Sequence, residues 1–341
     1  MTKRIFIVAF IAVAWMAQAS PASAHTGRSP SVAVDDRASM TEVEPQGAPF
    51  QVRVVDGDQD VWLRLQPGNE LIVVGSIGEP FLRFAHGSVS ANTRSPTAST
   101  DLFGVVPSRP SLNPHARPQW ASVATGDAYL WHDHRLHALA LLSGGEAPRR
   151  LGSWVIPLRL NGAPAAITGE LRSVAPPERW FWLAIPVALV AAALALLRLR
   201  PIRVPPGASL AATLALLGVL VARTGRDLYG RPGITTPRYA SIAIGVVLGA
   251  FLLERLARGG PGVRSIVVMV AGVVGLVQGS TLAPVFWHGL VLAAIPSWIE
   301  RSCVAFAIGG GAAALLLTFG PSTDEPADVP SGYGSVGNSD H

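Results

Sequence analysis

The sequence predicts an all-β head followed by an α-helical, polytopic membrane domain. Residues 25–178 are polar and mixed, with short β-branched runs broken by turn residues and no apolar run long enough to cross a bilayer. Residues 179–320 are dominated by Ala, Leu, Val, Gly and Ile, in stretches that approach the roughly 20 apolar residues a bilayer core demands. A third observation, the pattern of the first 24 residues, sets the side of the membrane on which the head lies.

Lys3 and Arg4 precede an apolar stretch from Ile5 to Ala17 that is too short for a stable span, and Ala22-Ser23-Ala24 supplies small residues at a cleavage position. Residues 1–24 therefore read as a secretory signal peptide. The head, residues 25–178, becomes extracytoplasmic, and His25 becomes its first residue.

Within the head, Gln51–Asp56, Val61–Leu65, Glu70–Val74 and Phe81–Phe84 read as strands separated by turns such as Asp56-Gly57-Asp58 and Pro67-Gly68-Asn69. Ser153–Leu160 and Ala165–Val174 flank Asn161-Gly162, a strong hairpin signal. Many short strands with frequent turns point to a sandwich, immunoglobulin-like or cupredoxin-like. Residues 86–128, rich in Ser, Thr, Pro and Asn, are expected to hold long loops, and no part of the head shows a helical period. Asp56, Asp58 and Asp60 alternate without the downstream Glu of a calcium loop, so a solvated turn is expected.

Pro176-Pro177 ends the head, and Arg179-Trp180-Phe181-Trp182 has the character of an interfacial anchor. Spans are expected near 180–198, 208–223, 239–256, 264–283 and 302–320. Residues 284–299 read as a half-inserted or interfacial element, giving five spans; six is the alternative. Arg198, Arg200 and Arg203, then Arg255, Arg258 and Arg264, mark cytoplasmic loops, whereas Arg223, Arg226, Arg231 and Arg238 fit that bias less well. The tail, residues 321–341, is polar and Gly/Ser-rich, with the composition of a disordered segment.

The high pI, about 10.1, does not signal nucleic-acid binding. The head carries 13 Arg against 15 Asp and Glu, so the positive excess lies between the membrane segments. Cys303, the single cysteine, falls in the last apolar segment, which excludes a disulfide or a thiolate metal site in the head. Scarce ionisable residues in the spans, with Gln278 and His288 as the main polar ones, argue against an active pump.

The chemistry concentrates in Trp131-His132-Asp133-His134-Arg135-Leu136-His137. If Tyr129–Leu136 is one strand, His132 and His134 share a face about 7 Å apart at their Cα atoms, and His137 falls on the other unless a bulge intervenes. Asp133 and Arg135 then stand behind the imidazoles: Asp133 either fixes a histidine tautomer or pairs with Arg135. A terminal amine and ring at His25 add a chelate, and such a nitrogen set favours Cu(II). Zinc on imidazoles is the alternative. The structural alternative is a hydrogen-bonded network holding a loop, with Trp131 in the core and His86 and His115 merely exposed.

Gly78-Glu79-Pro80-Phe81-Leu82-Arg83, Asn92-Thr93-Arg94-Ser95-Pro96-Thr97 and the Trp131–His137 run together resemble a group of actinobacterial secreted or membrane proteins with a WHDHRxH signature. That resemblance covers most of the head and implies no activity. The architecture is also similar to bacterial copper-resistance proteins of the CopC–CopD type, where a β-sandwich with an N-terminal histidine works with a polytopic membrane partner. This similarity implies copper binding or uptake, although the membrane part is shorter than a full bundle of that type.

The expected function is a membrane-anchored metal-binding protein, for Cu(II) capture or delivery, with His25, His132, His134 and His137 as ligands and the lipid bilayer and a metal ion as partners. The alternative is a non-catalytic envelope scaffold whose head binds another envelope protein. An oxidase with copper on the terminal amine is the third reading; no catalytic triad, nucleotide loop or carboxylate pair stands out.

Overall fold

The computed structural model describes residues 31–102, 112–137, 146–199, 206–230 and 236–319. The expected signal peptide, His25 and the tail 321–341 lie outside the described residues.

The chain begins with β1 (Ala33–Val34), β2 (Asp36–Glu44), β3 (Phe50–Val55), β4 (Asp60–Leu65), β5 (Leu71–Val74), β6 (Pro80–Ala85) and β7 (Ser88–Asn92). A short helix, α1 (Pro96–Asp101), separates these from β8 (Trp120–Thr125) and β9 (Ala128–His132). After a 3-10 turn at His134–Leu136, β10 (Arg149–Leu160) and β11 (Ala163–Ser173) complete the head. The region expected as long loops thus holds two strands and a helix. That helix escapes a search for periodicity because its six residues make fewer than two turns.

Seven strands form one antiparallel sheet in the order β2-β11-β10-β5-β6-β7-β8, and β3-β4-β9 form a second. Strand β10 shows the cause of layering: Trp154, Ile156, Leu158 and Leu160 are buried, while Val155, Pro157 and Arg159 between them are exposed. The β10–β11 turn is the Asn-Gly hairpin, with Asn161 at φ 49° and Gly162 at φ 83°, the left-handed conformation such a turn requires. One core joins the sheets. Leu71, Leu82, Phe84, Ile156 and Ile167 from the first pack with Val61, Leu63 and Trp131 from the second. Phe84 and Trp131 meet at 6.4 Å between ring centroids.

Among the described residues, five helices follow that are long and apolar enough to cross a membrane. They are α2 (Arg179–Leu199), α3 (Pro206–Asp227), α4 (Thr236–Arg258), α5 (Pro261–Leu282) and α6 (Ser297–Phe319). Residues between α5 and α6 form a 3-10 turn and a two-residue strand, β12 (Leu290–Val291), instead of a sixth span. Helix α6 is the hub, packed through small residues. A Cβ on Gly310 would lie 2.7 Å from the Ala211 oxygen of α3, and one on Gly311 2.7 Å from the Gly272 oxygen of α5. Such close approach supplies the van der Waals packing that joins helices in lipid.

Helix α6 starts five residues earlier than the expected span, at Ser297. It therefore contains Glu300 and Arg301, both buried. Both lie outside the expected span 302–320, and the expected scarcity of ionisable groups in the spans does not hold at this end of the bundle.

The head rests on the end of the bundle where α2 begins, α3 and α5 finish, and α6 begins. Strand β1 pairs antiparallel with β12, Ala33 opposite Val291 and Val34 opposite Leu290. His288, expected to sit at the interface, is engaged there: its Nδ1 lies 2.9 Å from Asp35 Oδ2.

Candidate functional site

Strand β9 ends at His132, which sits opposite Asp60 in the β4–β9 ladder. Cross-strand neighbours on one face lie close enough to interact, and His132 Nδ1 lies 3.3 Å from Asp60 Oδ1. The expected strand Tyr129–Leu136 is therefore corrected: the chain leaves the ladder after His132 and turns sharply. Asp133 makes the turn. Its carboxylate accepts hydrogen bonds from Arg135 N at 3.1 Å, Arg135 Nε at 2.8 Å, Arg135 NH2 at 2.7 Å and Trp131 Nε1 at 3.0 Å. Arg135 NH1 then donates to the Val74 oxygen at 2.8 Å, tying the turn to the large sheet. Leu136, fully buried, plugs the core beneath it.

The turn folds the histidine run onto itself. Ring centroids of His132 and His134 are 4.8 Å apart, those of His132 and His137 4.8 Å, and those of His134 and His137 5.8 Å. His137 Nε2 lies 3.1 Å from His132 Nε2. The three imidazoles expected as ligands do come together, by a route other than strand alternation. Asp133 touches none of them, so its expected role behind a histidine passes to other carboxylates, while its pairing with Arg135 stands.

Those carboxylates escaped the sequence reading. Asp58 Oδ2 lies 3.0 Å from His137 Nδ1, and Asp101 Oδ1 lies 2.6 Å from His134 Nδ1. With Asp60, every imidazole of the cluster has an aspartate at Nδ1. Asp56, Asp58 and Asp60, expected as a solvated turn, are instead buried. The missed signal was their spacing: with Asp60 fixed in the ladder, Asp58 of the same turn falls beside it.

Asp101 is delivered by a second network. Glu79 is buried and accepts from Ser95 Oγ at 2.7 Å and Thr97 N at 3.1 Å, and Ser95 caps α1 by accepting from Ala98 N at 3.1 Å. Burial alone would raise the Glu79 pKa, but its hydrogen bonds from Ser95 and Thr97 outweigh that and hold it below its ordinary value. Asn92 fastens the same loop, accepting from Arg94 N and Gln119 N and donating to the Pro80 oxygen at 2.8 Å. The three separated motifs thus form one construction. Glu79 and Asn92 fix α1, whose last residue meets the second histidine of the third motif.

The site grades from buried to open. The His132 side chain is 6% exposed, that of His137 22% and that of His134 48%, so solvent reaches the cluster from the His134 side. Its surroundings are negative. Burial raises the Asp101 pKa and the Asp133 charge adds to this, with Thr100 and His134 opposing. Burial also raises the pKa of Asp36, helped by Asp58 and Asp35 and opposed by His137 and Arg149. Asp101 Oδ2 is buried without a hydrogen-bond partner among the described residues.

A carboxylate at Nδ1 selects the Nδ1–H tautomer and leaves Nε2 as a lone-pair donor. Three aspartates impose this on three rings. Two such Nε2 lone pairs at 3.1 Å repel unless a positive charge, a proton or a metal ion, lies between them. As they stand, no three or more His, Cys, Asp or Glu side chains among the described residues are arranged to hold a metal ion. The rings share contacts with one another and not a common focus. Comparison with protein-family models, with curated proteins and with solved structures returns no match.

Proposed function

We propose that the chain is a membrane-anchored metal-binding protein whose head takes up a divalent copper or zinc ion on His132, His134 and His137. The observation that carries this reading is the aspartate at each Nδ1. Imidazoles that ligate a metal nearly always donate their other N–H to such an acceptor. In a tetrahedral site with Zn–N bonds of about 2.0–2.1 Å, ligand nitrogens lie roughly 3.3 Å apart. The 3.1 Å between His132 and His137 is close to that separation. On this reading His134, the exposed ring held by Asp101, has to turn toward the other two, and its open side leaves room for a fourth ligand.

The copper form of the reading adds His25. Seven residues separate His25 from Ala33, and a fully extended chain of that length reaches about 25 Å. The chain enters the head beside the cluster, since Asp36 lies within the field of Asp58 and His137. The two sheets around one core are read as the halves of a sandwich, immunoglobulin-like or cupredoxin-like. The head is assigned to the extracytoplasmic side from the signal-peptide pattern of residues 1–24; Arg198, Arg255, Arg258 and Arg264 at the opposite end of the bundle agree with this, and Arg223 and Arg226 at the head's end do not.

The structural alternative has its own support in Asp133, whose bonds to Trp131 and Arg135 and their link to Val74 hold a turn and touch no imidazole. One titration separates the two. Cu(II) and Zn(II) are added to the full-length protein in detergent, with and without His132→Ala and His137→Ala. The metal reading expects one ion per chain and loss of tight binding in both variants. Equal binding by all three proteins would overturn it.

A further inference from the structure

We propose that ion binding at the histidine cluster and docking of the head on the membrane bundle form one linked equilibrium, transmitted through the turn Asp56–Asp60. The proposal rests on the metal-binding reading above. One face of this turn serves the cluster: Asp58 holds His137 and Asp60 holds His132. Gly57, bonded to Asp58, serves the bundle. It sits at φ 79°, and a Cβ there would lie 2.5 Å from Val34 Cγ2 and 3.3 Å from Leu290 Cδ2. Leu290 belongs to the segment between α5 and α6, and Val34 is its partner in the β1–β12 ladder.

That segment is gripped from both sides. From the head, Asp35 accepts from Gly289 N at 3.2 Å and meets His288 Nδ1 at 2.9 Å. From the membrane, Arg301 of α6 donates Nε to the Val285 oxygen at 2.8 Å and NH2 to the His288 and Gly289 oxygens at 3.0 Å. Contacts therefore run without a gap from imidazole to Asp58, Gly57, Leu290, the segment backbone and a transmembrane helix. Asp56 adds a second link, because Arg226 at the end of α3 lies in its field and in that of Glu300.

An ion that fixes the rings orders Asp58 and Asp60. Docking orders Gly57, the residue bonded to Asp58 in the same turn. Each event bears part of the cost of ordering the same five residues, so each strengthens the other, reciprocally.

The test uses the full-length protein in detergent micelles. Zn(II) and Cu(II) affinities are measured by chelator competition for the wild type, Leu290→Asp and Asp35→Asn, neither of which alters a residue hydrogen-bonded to an imidazole of the cluster. Hydrogen exchange at Val34, Leu290 and Leu292 is followed in the wild type with and without metal. Linkage expects at least about fivefold weaker binding in both variants, at the lower bound of ordinary couplings, and slower exchange on loading. Wild-type affinity in both variants with unchanged exchange would overturn the linkage and leave the metal reading standing. Failure of the wild type to bind either ion would overturn both. The exchange measurement needs no variant and so decides the matter even if Leu290→Asp misfolds.

Discussion

His132 Nε2 and His137 Nε2 lie 3.1 Å apart, although the last residue of a strand and a residue five positions beyond it have no reason of local geometry to meet. A single 3-10 turn, closed by Asp133 and Arg135, brings them together. The two rings then face each other with their Nδ1 atoms occupied by Asp60 and Asp58.

If the aspartates set the donor atoms, Asp58→Asn and Asp101→Asn should each weaken metal binding by about 10–100-fold, the usual cost of losing such a partner. Chelator competition with Zn(II) measures this, with circular dichroism to verify that the sheets persist. Unchanged affinity in both would show that the aspartates serve folding alone.

Arg135→Ala should lower the stability of the head by about 3–5 kcal/mol, because it strips a fully buried Asp133 of its guanidinium. Thermal unfolding followed by tryptophan emission reads it directly, since Trp131 bonds the same carboxylate. Asp133 would be wrongly described as the keystone of the turn if the variant melted like the wild type.

Glu79 gives an acid-side prediction. Its pKa is held below the ordinary 4.5, so its contribution to stability is complete above that value and drains away as pH falls through the lowered one. Glu79→Gln should cost about 1.5–3 kcal/mol at neutral pH, in line with hydrogen bonds to a charged group. It should also flatten the acid limb of a plot of stability against pH. A parallel downward shift at every pH would argue against this assignment.

Tyr129 gives the alkaline counterpart. Burial pushes its pKa up to about 12 from 10, and its hydroxyl has no hydrogen-bond partner among the described residues. The unfolded chain ionises first, so stability is intact below pH 10 and is lost as pH rises from there towards about 12. Tyr129→Phe should remove that loss and be neutral or stabilising by up to about 1–3 kcal/mol at pH 7. Urea denaturation at pH 7 and pH 11 checks both halves; a destabilised variant would point to a role for the hydroxyl.

Part of the order of elements was legible in the sequence alone; β2, the two strands and the helix within 86–128, and β12 were not. Alternation along Ser153–Leu160, the Asn161-Gly162 turn and the apolar lengths of the spans are local properties, written in contiguous residues. The histidine run was legible as a concentration of donors for the same reason. What sequence could not supply was pairing at a distance. Asp60 reaches His132 across 72 positions and Asp101 reaches His134 across 33, because strand register and a six-residue helix put them there. Nor does a pattern of polar residues in a turn say that Asp56, Asp58 and Asp60 are buried; that follows only once distant elements pack on the turn, β9 beside Asp60 and the β1–β12 pair against Gly57. Local composition thus determined the β10–β11 hairpin, the apolar spans and where the imidazoles lie along the chain. The tertiary structure alone decided which carboxylate stands behind each ring, since hydrogen bonds between distant residues depend on how the elements pack and not on their order.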